Sequence, residues 1–149
     1  MVANGTQLTG IYYLNCKHAP AVQNNWSPNP QHLVLQQAGG QLQEYFDGTR
    51  TNFSLPLDCA GTDFQKEVWR QITLIPFGQT VTYSELAKRA GAVHAIRAAG
   101  TATGRNPLSI VIPCHRVVGK DGSLGGYAGG LPRKQLLLET ERRGNHLPV

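Results

Sequence analysis

The sequence predicts an α+β protein, with a small N-terminal α/β part and a mainly helical C-terminal part. Three observations carry this expectation. Composition and charge change together near residues 59–62. Two helix-start signatures follow that point, Thr62-Asp63-Phe64-Gln65 and Thr82-Tyr83-Ser84-Glu85. Before it, one amphipathic helix stands beside a strand and a proline-containing loop. The expected division is 1–60 and 61–149.

Residues 8–14 read as a strand between Gly5 and Asn15, and residues 15–30 as a loop with Pro20, Pro28 and Pro30. The N-terminal part would then lack a strand ahead of residue 8. Leu35, Ala38, Leu42, Tyr45 and Phe46 recur at three- and four-residue intervals, which predicts a helix over 31–46. The pair Gly39-Gly40 favours a bend within it. Leu55-Pro56-Leu57 reads as an extended linker.

Beyond the boundary, Phe64, Val68 and Ile72 share one helical face beside Trp69, and Pro76-Phe77-Gly78 closes that helix. The second capping signature opens a short helix that Gly91 stops. A third helix is expected over 93–104. Two short helices around a glycine turn have the pattern of a helix-turn-helix. Ala95, Ala98, Ala99, Gly100 and Ala102 keep the third helix small-surfaced, and Arg97 projects from its middle. Such a helix can lie close against DNA with one long cation reaching inward, although helix packing uses small residues too. Pro132 suits the first turn of a last helix, with Leu136, Leu137 and Leu138 as its buried face and Gly144 as its stop.

At 149 residues the chain can bury a core without disulfides. No apolar run is long enough to span a membrane, and no charged-then-apolar leader opens the sequence, so neither a membrane nor a secreted setting is expected. The three cysteines, Cys16, Cys59 and Cys114, have no CxxC spacing. Cys16 and His18 lack a second ligand pair, so no metal site is expected. Residues 1–60 carry two Lys/Arg against three Asp/Glu, a net −1, whereas 61–149 carry twelve against six, a net +6. The basic excess travels with the C-terminal part and suits a polyanionic partner.

The stretch Ile110-Val111-Ile112-Pro113-Cys114-His115-Arg116-Val117-Val118 concentrates the chemistry. An apolar setting alone would leave a thiol inert; His115 and Arg116 beside it favour the thiolate. Pro113 interrupts the strand pattern and puts Cys114 at an element's end. Adjacent side chains diverge on an extended backbone, so pairing Cys114 with His115 requires a bend or a bridging water. Glycines around Tyr127 suggest a tight loop over a pocket.

Together these residues resemble the O6-alkylguanine-DNA alkyltransferase family over about residues 8–144. The resemblance rests on Pro113-Cys114-His115-Arg116-Val117, with Phe64-Gln65, Val68-Trp69, Ile75-Pro76-Phe77-Gly78, Tyr83, Leu86-Ala87, Arg97, Gly104, Asn106-Pro107 and Gly125-Gly126-Tyr127 in the family's order. It implies an N-terminal ribonuclease H-like α/β domain and a C-terminal domain with a winged helix-turn-helix-like DNA-binding motif. It implies direct-reversal repair of double-stranded DNA. The protein binds the minor groove, flips out an O6-alkylguanine, and moves the alkyl group irreversibly to Cys114, once per molecule. O4-alkylthymine is a second candidate substrate. No cofactor or metal is implied.

By the same resemblance, His115 is the base and Glu141 orients it, with Glu139 the nearest rival. Tyr83 assists the leaving base and turns the target phosphate. Asn106 ties the helix-turn-helix to the cysteine segment. Arg97 fills the gap left by the flipped base, with Tyr83, Ala95, Ala98, Ala99 and Gly100 beside it against DNA. Tyr127, Ala128, Val117 and Gly125 would form the substrate pocket, Ala128 standing where many relatives carry serine. A monomer is expected, in the cytoplasm of a bacterium or archaeon or in a eukaryotic nucleus. The rival classes are an alkylguanine-DNA-binding protein without transfer, a helix-turn-helix regulator and a cysteine hydrolase. Cys114 argues against the first, whose members carry tryptophan there, and no oxyanion-hole pattern supports the last.

Overall fold

The computed structural model describes residues 1–144. The chain opens with a hairpin, β1 (Val2–Asn4) and β2 (Gln7–Gly10), paired antiparallel. A strand thus does precede residue 8. The expected strand is also shorter than predicted: β2 ends at Gly10, and Asn15 takes a positive φ of 57°. The Leu55-Pro56-Leu57 segment is not a free linker. Leu8 donates to Pro56 O at 2.8 Å, and Asp58 donates back to Leu8 O at 3.0 Å, so it forms a third, parallel edge.

Helix α1 (Leu33–Phe46) runs through Gly39-Gly40 without a break. Val34, Ala38 and Tyr45 are buried on its inner face, while Phe46, expected on that face, is 51% exposed. Helix α2 (Asp63–Thr73) has the complete capping box. Gln65 N donates to Thr62 Oγ1 at 3.1 Å, and Thr62 N donates to Gln65 Oε1 at 3.0 Å. Two otherwise unpaired backbone donors are satisfied in this way.

After β3 (Val81–Thr82) comes α3 (Tyr83–Arg89), where only half a capping box forms. Glu85 N reaches Thr82 Oγ1 at 3.2 Å, but the Glu85 carboxylate pairs with Arg89 at 3.0 Å instead. Gly91, with φ +74°, makes the turn that a side chain would strain. Helix α4 (Ile96–Gly104) starts later than predicted, with Ala95 as its cap residue.

The aliphatic run before Cys114 is not a strand. Ile110 has a φ of +74°, and residues 108–117 form an unbroken buried stretch. A single 3-10 turn, Cys114–Arg116, leads into β4 (Val117–Val118), which pairs parallel with β3. The last helix, α5 (Leu131–Gly144), buries Lys134, Leu137 and Glu141, at three- and four-residue spacing. Of the three leucines predicted there, Leu137 alone is fully inside; Leu136 is 60% exposed. Consecutive helical residues point about 100° apart, so three in a row cannot share a face.

One core joins both halves: Leu8, Ile11, Val34 and Ala38 pack with Val68, Trp69, Ile72 and Leu108. No helix among the described residues is long and apolar enough to cross a membrane.

Because its hydroxyl caps α2 at a solvent-exposed end, Thr62→Ala should lower unfolding stability by about 1 kcal/mol. The urea midpoint reads this directly, and the chemistry of Cys114 should be unaffected.

Candidate active site

Cys114 lies at the base of an open cleft of about 730 Å³. The cleft walls include Tyr83, Arg97, Gly100, Arg105, Tyr127 and Ala128, and also Lys17 and His18 from the N-terminal loop. Its lining holds three Lys/Arg and no Asp/Glu. Only 5% of Cys114 is exposed. Burial raises its thiol pKa, against the lowering effects of a hydrogen bond from Asn106 and the charge of Lys134. The resting sulfur is therefore a thiol that needs a base.

At Cys114–Arg116 the backbone is a 3-10 turn and not extended. It sends His115 inward, where the ring is fully buried. His115 Nε2 lies 2.7 Å from Glu141 Oε1 on α5. Burial by itself would raise the Glu141 carboxyl, but hydrogen bonds from His115 and Arg116, and their charges, hold it at about 2. An ionised carboxylate only accepts, so Nε2 must carry the hydrogen. Burial lowers the His115 pKa despite Glu141, and the ring is neutral at pH 7. Nδ1 is then the bare nitrogen, and it makes no hydrogen bond to the described protein atoms. Glu139, the rival orienter, instead accepts from Gln135 at 3.0 Å on the exposed side of α5.

Arg116 adds Nε and Nη2 bonds to Glu141, both at 2.9 Å, and donates Nη1 to Ile75 O at 2.7 Å. Asn106 holds the preceding turn together. Its amide donates to Ile112 O at 2.7 Å, and its Oδ1 accepts from Leu108 N at 2.9 Å. The side chain thus links the end of α4 to the cysteine segment.

The glycine-rich loop forms one wall of the cleft. Tyr127 OH and Tyr13 OH are 3.0 Å apart, with the rings edge to face at 5.9 Å. Lys17 N donates to Ala128 O at 3.3 Å, so the N-terminal segment braces this loop from outside. Gly125 does not line the cleft. Its φ is +67°, and a Cβ there would lie 2.8 Å from the Tyr83 ring, so glycine permits that contact. Val117 is likewise no pocket residue: it is fully buried in β4, and its carbonyl accepts from Lys134 at 2.6 Å.

On the helix-turn-helix, Arg97 and Ala98 are exposed, Ala95 and Gly100 half-buried. Ala99 cannot face DNA. It is fully buried on the inner side of α4, the side on which Trp69 Nε1 donates to Ala102 O at 2.9 Å. Its small side chain serves the packing of α4 onto α2.

Sequence reasoning missed Lys134. It is wholly buried, and its ammonium donates to the carbonyls of Val117, Leu124 and Gly126. Burial depresses its pKa to about 8, with the Cys114 charge acting in the opposite direction. It pins the glycine-rich loop to β4 and is a cation close to Cys114. Its spacing of three and seven from Leu137 and Glu141 was the available signal. The cleft residues Lys17 and Arg105 were also missed, because an exposed cation has no pattern of its own.

A thiol backed by a buried base and carboxylate, below a basic cleft walled by a helix-turn-helix, defines a DNA-directed protein with a cysteine nucleophile. The 6-O-methylguanine DNA methyltransferase ribonuclease-like domain matches residues 1–59, and the DNA binding domain of the same family matches 63–143. The chain belongs to the 6-O-methylguanine DNA methyltransferase family. It is 43% identical over 142 residues to the methylated-DNA--protein-cysteine methyltransferase of Mycobacterium bovis, covering 95% of this chain and 84% of that one. The protein of the same name from Methanosarcina barkeri is 43% identical over 141 residues, covering 95% and 88%. Mycobacterium tuberculosis OGT, solved in complex with DNA, superposes with a TM-score of 0.88 at 42% identity, covering 96% and 85%.

The Glu141 carboxyl has a folded pKa below its unfolded one, so its stabilising effect is complete above the unfolded value and vanishes as pH falls through about 2. Urea unfolding of the protein and of Glu141→Gln should therefore show a stability gap that is widest near neutral pH. The gap should close steadily on acidification, as the wild-type carboxyl protonates.

Proposed function

We propose that this protein is a direct-reversal DNA repair protein that transfers the alkyl group of O6-alkylguanine in double-stranded DNA to Cys114, once per molecule. The single observation that carries the reading is the buried His115–Glu141 pair, whose histidine directly follows Cys114, a residue that itself lines a cationic cleft. Dealkylating an aryl ether by displacement needs a soft, strong nucleophile, and a thiolate provides one. His115 Nδ1 takes the thiol proton, directly or through one water, and Glu141 stabilises the imidazolium that forms. The new bond joins Sγ to the alkyl carbon as the carbon–O6 bond breaks.

The departing guanine must gain a proton to leave as a neutral base. Tyr83, at the cleft wall, is the donor; burial raises its pKa, so the phenol keeps its hydrogen at neutral pH. The thiol proton returns to balance Tyr83 by way of His115 and solvent. The thioether product has no easy leaving group, which makes the transfer irreversible.

DNA is the partner. Cys114 is only 5% exposed, so the target nucleotide is extruded to reach it, at a cost of a few kcal/mol. Helix α4 enters the minor groove with Ala95, Ala98 and Gly100 against the backbone, and Arg97 occupies the vacated stack. Lys17 and Arg105 add phosphate contacts at the rim. Tyr127 and Ala128 bound the pocket that receives the base. The protein acts as a monomer in the compartment that holds the genome, the cytoplasm in a bacterium or archaeon.

Intact mass after mixing with excess duplex bearing O6-methylguanine should rise by one methyl group, mapped to Cys114, with no second addition later. Tight binding without any mass change would overturn the transfer reading in favour of a damage-binding protein. Arg97→Ala should slow transfer from duplex DNA far more than from the free base; comparing second-order rate constants on the two substrates tests its role in extrusion.

A further inference from the structure

We propose that Tyr45, in the N-terminal half, is a positioning residue that tunes the basicity of the His115–Glu141 pair. This rests on the alkyl-transfer reading and assigns that site a component from α1. The phenol donates to Glu141 Oε1 at 2.7 Å across 96 residues of sequence. The same oxygen receives His115 Nε2 at 2.7 Å and Arg116 Nη2 at 2.9 Å. The other oxygen receives Arg116 Nε at 2.9 Å and Gly78 N at 3.1 Å. Five donors therefore converge on a carboxylate with about four lone-pair sites.

Tyr45 is held for this purpose. It is 1% exposed, with ring contacts to Phe46, Phe53 and Phe77 at centroid distances of 5.3, 5.6 and 6.1 Å. Burial and the neighbouring Glu141 charge both raise its pKa, so the hydroxyl remains a donor throughout the working range. It has no access to the cleft and is not a group that meets the substrate.

The consequence is electrostatic. Each donor on Oε1 draws charge from the oxygen that faces His115, which makes the carboxylate a weaker stabiliser of imidazolium. With Tyr45 in place, His115 stays neutral at the pH of function and keeps Nδ1 bare. Arg116 and Gly78 already fix the carboxylate from the C-terminal half, so Tyr45 sets the strength of the pair more than its existence. The N-terminal half thereby acts on the chemistry of Cys114 without touching it.

Tyr45→Phe removes the hydroxyl and keeps the ring packing. The first readout is a 15N NMR titration of His115; the second is the pH dependence of Cys114 alkylation by duplex O6-methylguanine. The His115 pKa and the acid limb of the rate profile should both move up by roughly one unit, because a hydrogen bond to a charged group is worth that much. The NMR titration needs no alkyl transfer, so a wild-type protein that fails to react would sink the function and leave Tyr45 still testable. Site-specific 3-fluorotyrosine at residue 45, a stronger donor, should move the titration down, and it serves if the phenylalanine variant does not fold. A titration and profile that superimpose on wild type, with only a lowered melting temperature, would overturn the proposal.

Discussion

The buried Glu141 carboxylate is the constraint around which the rest of the molecule is arranged. A negative charge in the interior survives only where donors replace its lost water. Those donors come from four residues in three places in the chain: Tyr45 on α1, Gly78 after α2, and His115 and Arg116 on the cysteine turn. Satisfying one anion therefore draws both halves and three separate segments to a common point. The His115 ring next to Cys114 is oriented as a by-product of that solvation. Replacing Glu141 by an apolar residue of similar size would remove the charge and leave several donors without an acceptor.

A second constraint holds the sulfur itself. The stretch 108–116 is buried throughout and yet forms no regular strand. Backbone groups in such a place must find partners outside a ladder. Asn106 serves two of them, Lys134 serves the loop and β4, and Arg116 serves Ile75 O. These polar side chains are interior because they complete backbone hydrogen bonding. The left-handed Ile110 gives the turn its direction, and the surrounding packing keeps a conformation that branched residues otherwise avoid. Rigidity at Cys114 thus comes from a network of side-chain-to-backbone bonds.

The sequence made the local features legible. The capping box at Thr62 and Gln65 is complete because its two partners are three residues apart and nothing else competes for them. The matching pattern at Thr82 forms only in half, because Arg89 one turn on takes the Glu85 carboxylate. The small residues of α4 were legible as a set, but which of them faces outward was not. Ala99 turned inward toward α2, and Ala98 outward. The three leucines of α5 misled for a related reason, since hydrophobicity alone does not say which of three adjacent positions the core accepts. Lys134 and Glu141 share the inward face with Leu137, in place of Leu136 and Leu138.

By itself, the sequence singled out Cys114 and His115 as candidate nucleophile and base, and determined the capped starts of α2 and α3 and the basic character of the C-terminal half. These depend on residue type and on spacings of a few residues, where chain geometry fixes the outcome. Only the tertiary structure decided which glutamate orients His115, which lysine secures the loop, and that Tyr45 reaches the same carboxylate. Those contacts join residues far apart in the chain, and a buried charge selects its partners by distance and desolvation. A tyrosine on the apolar face of α1 looks like any core aromatic until the fold brings a carboxylate to its hydroxyl.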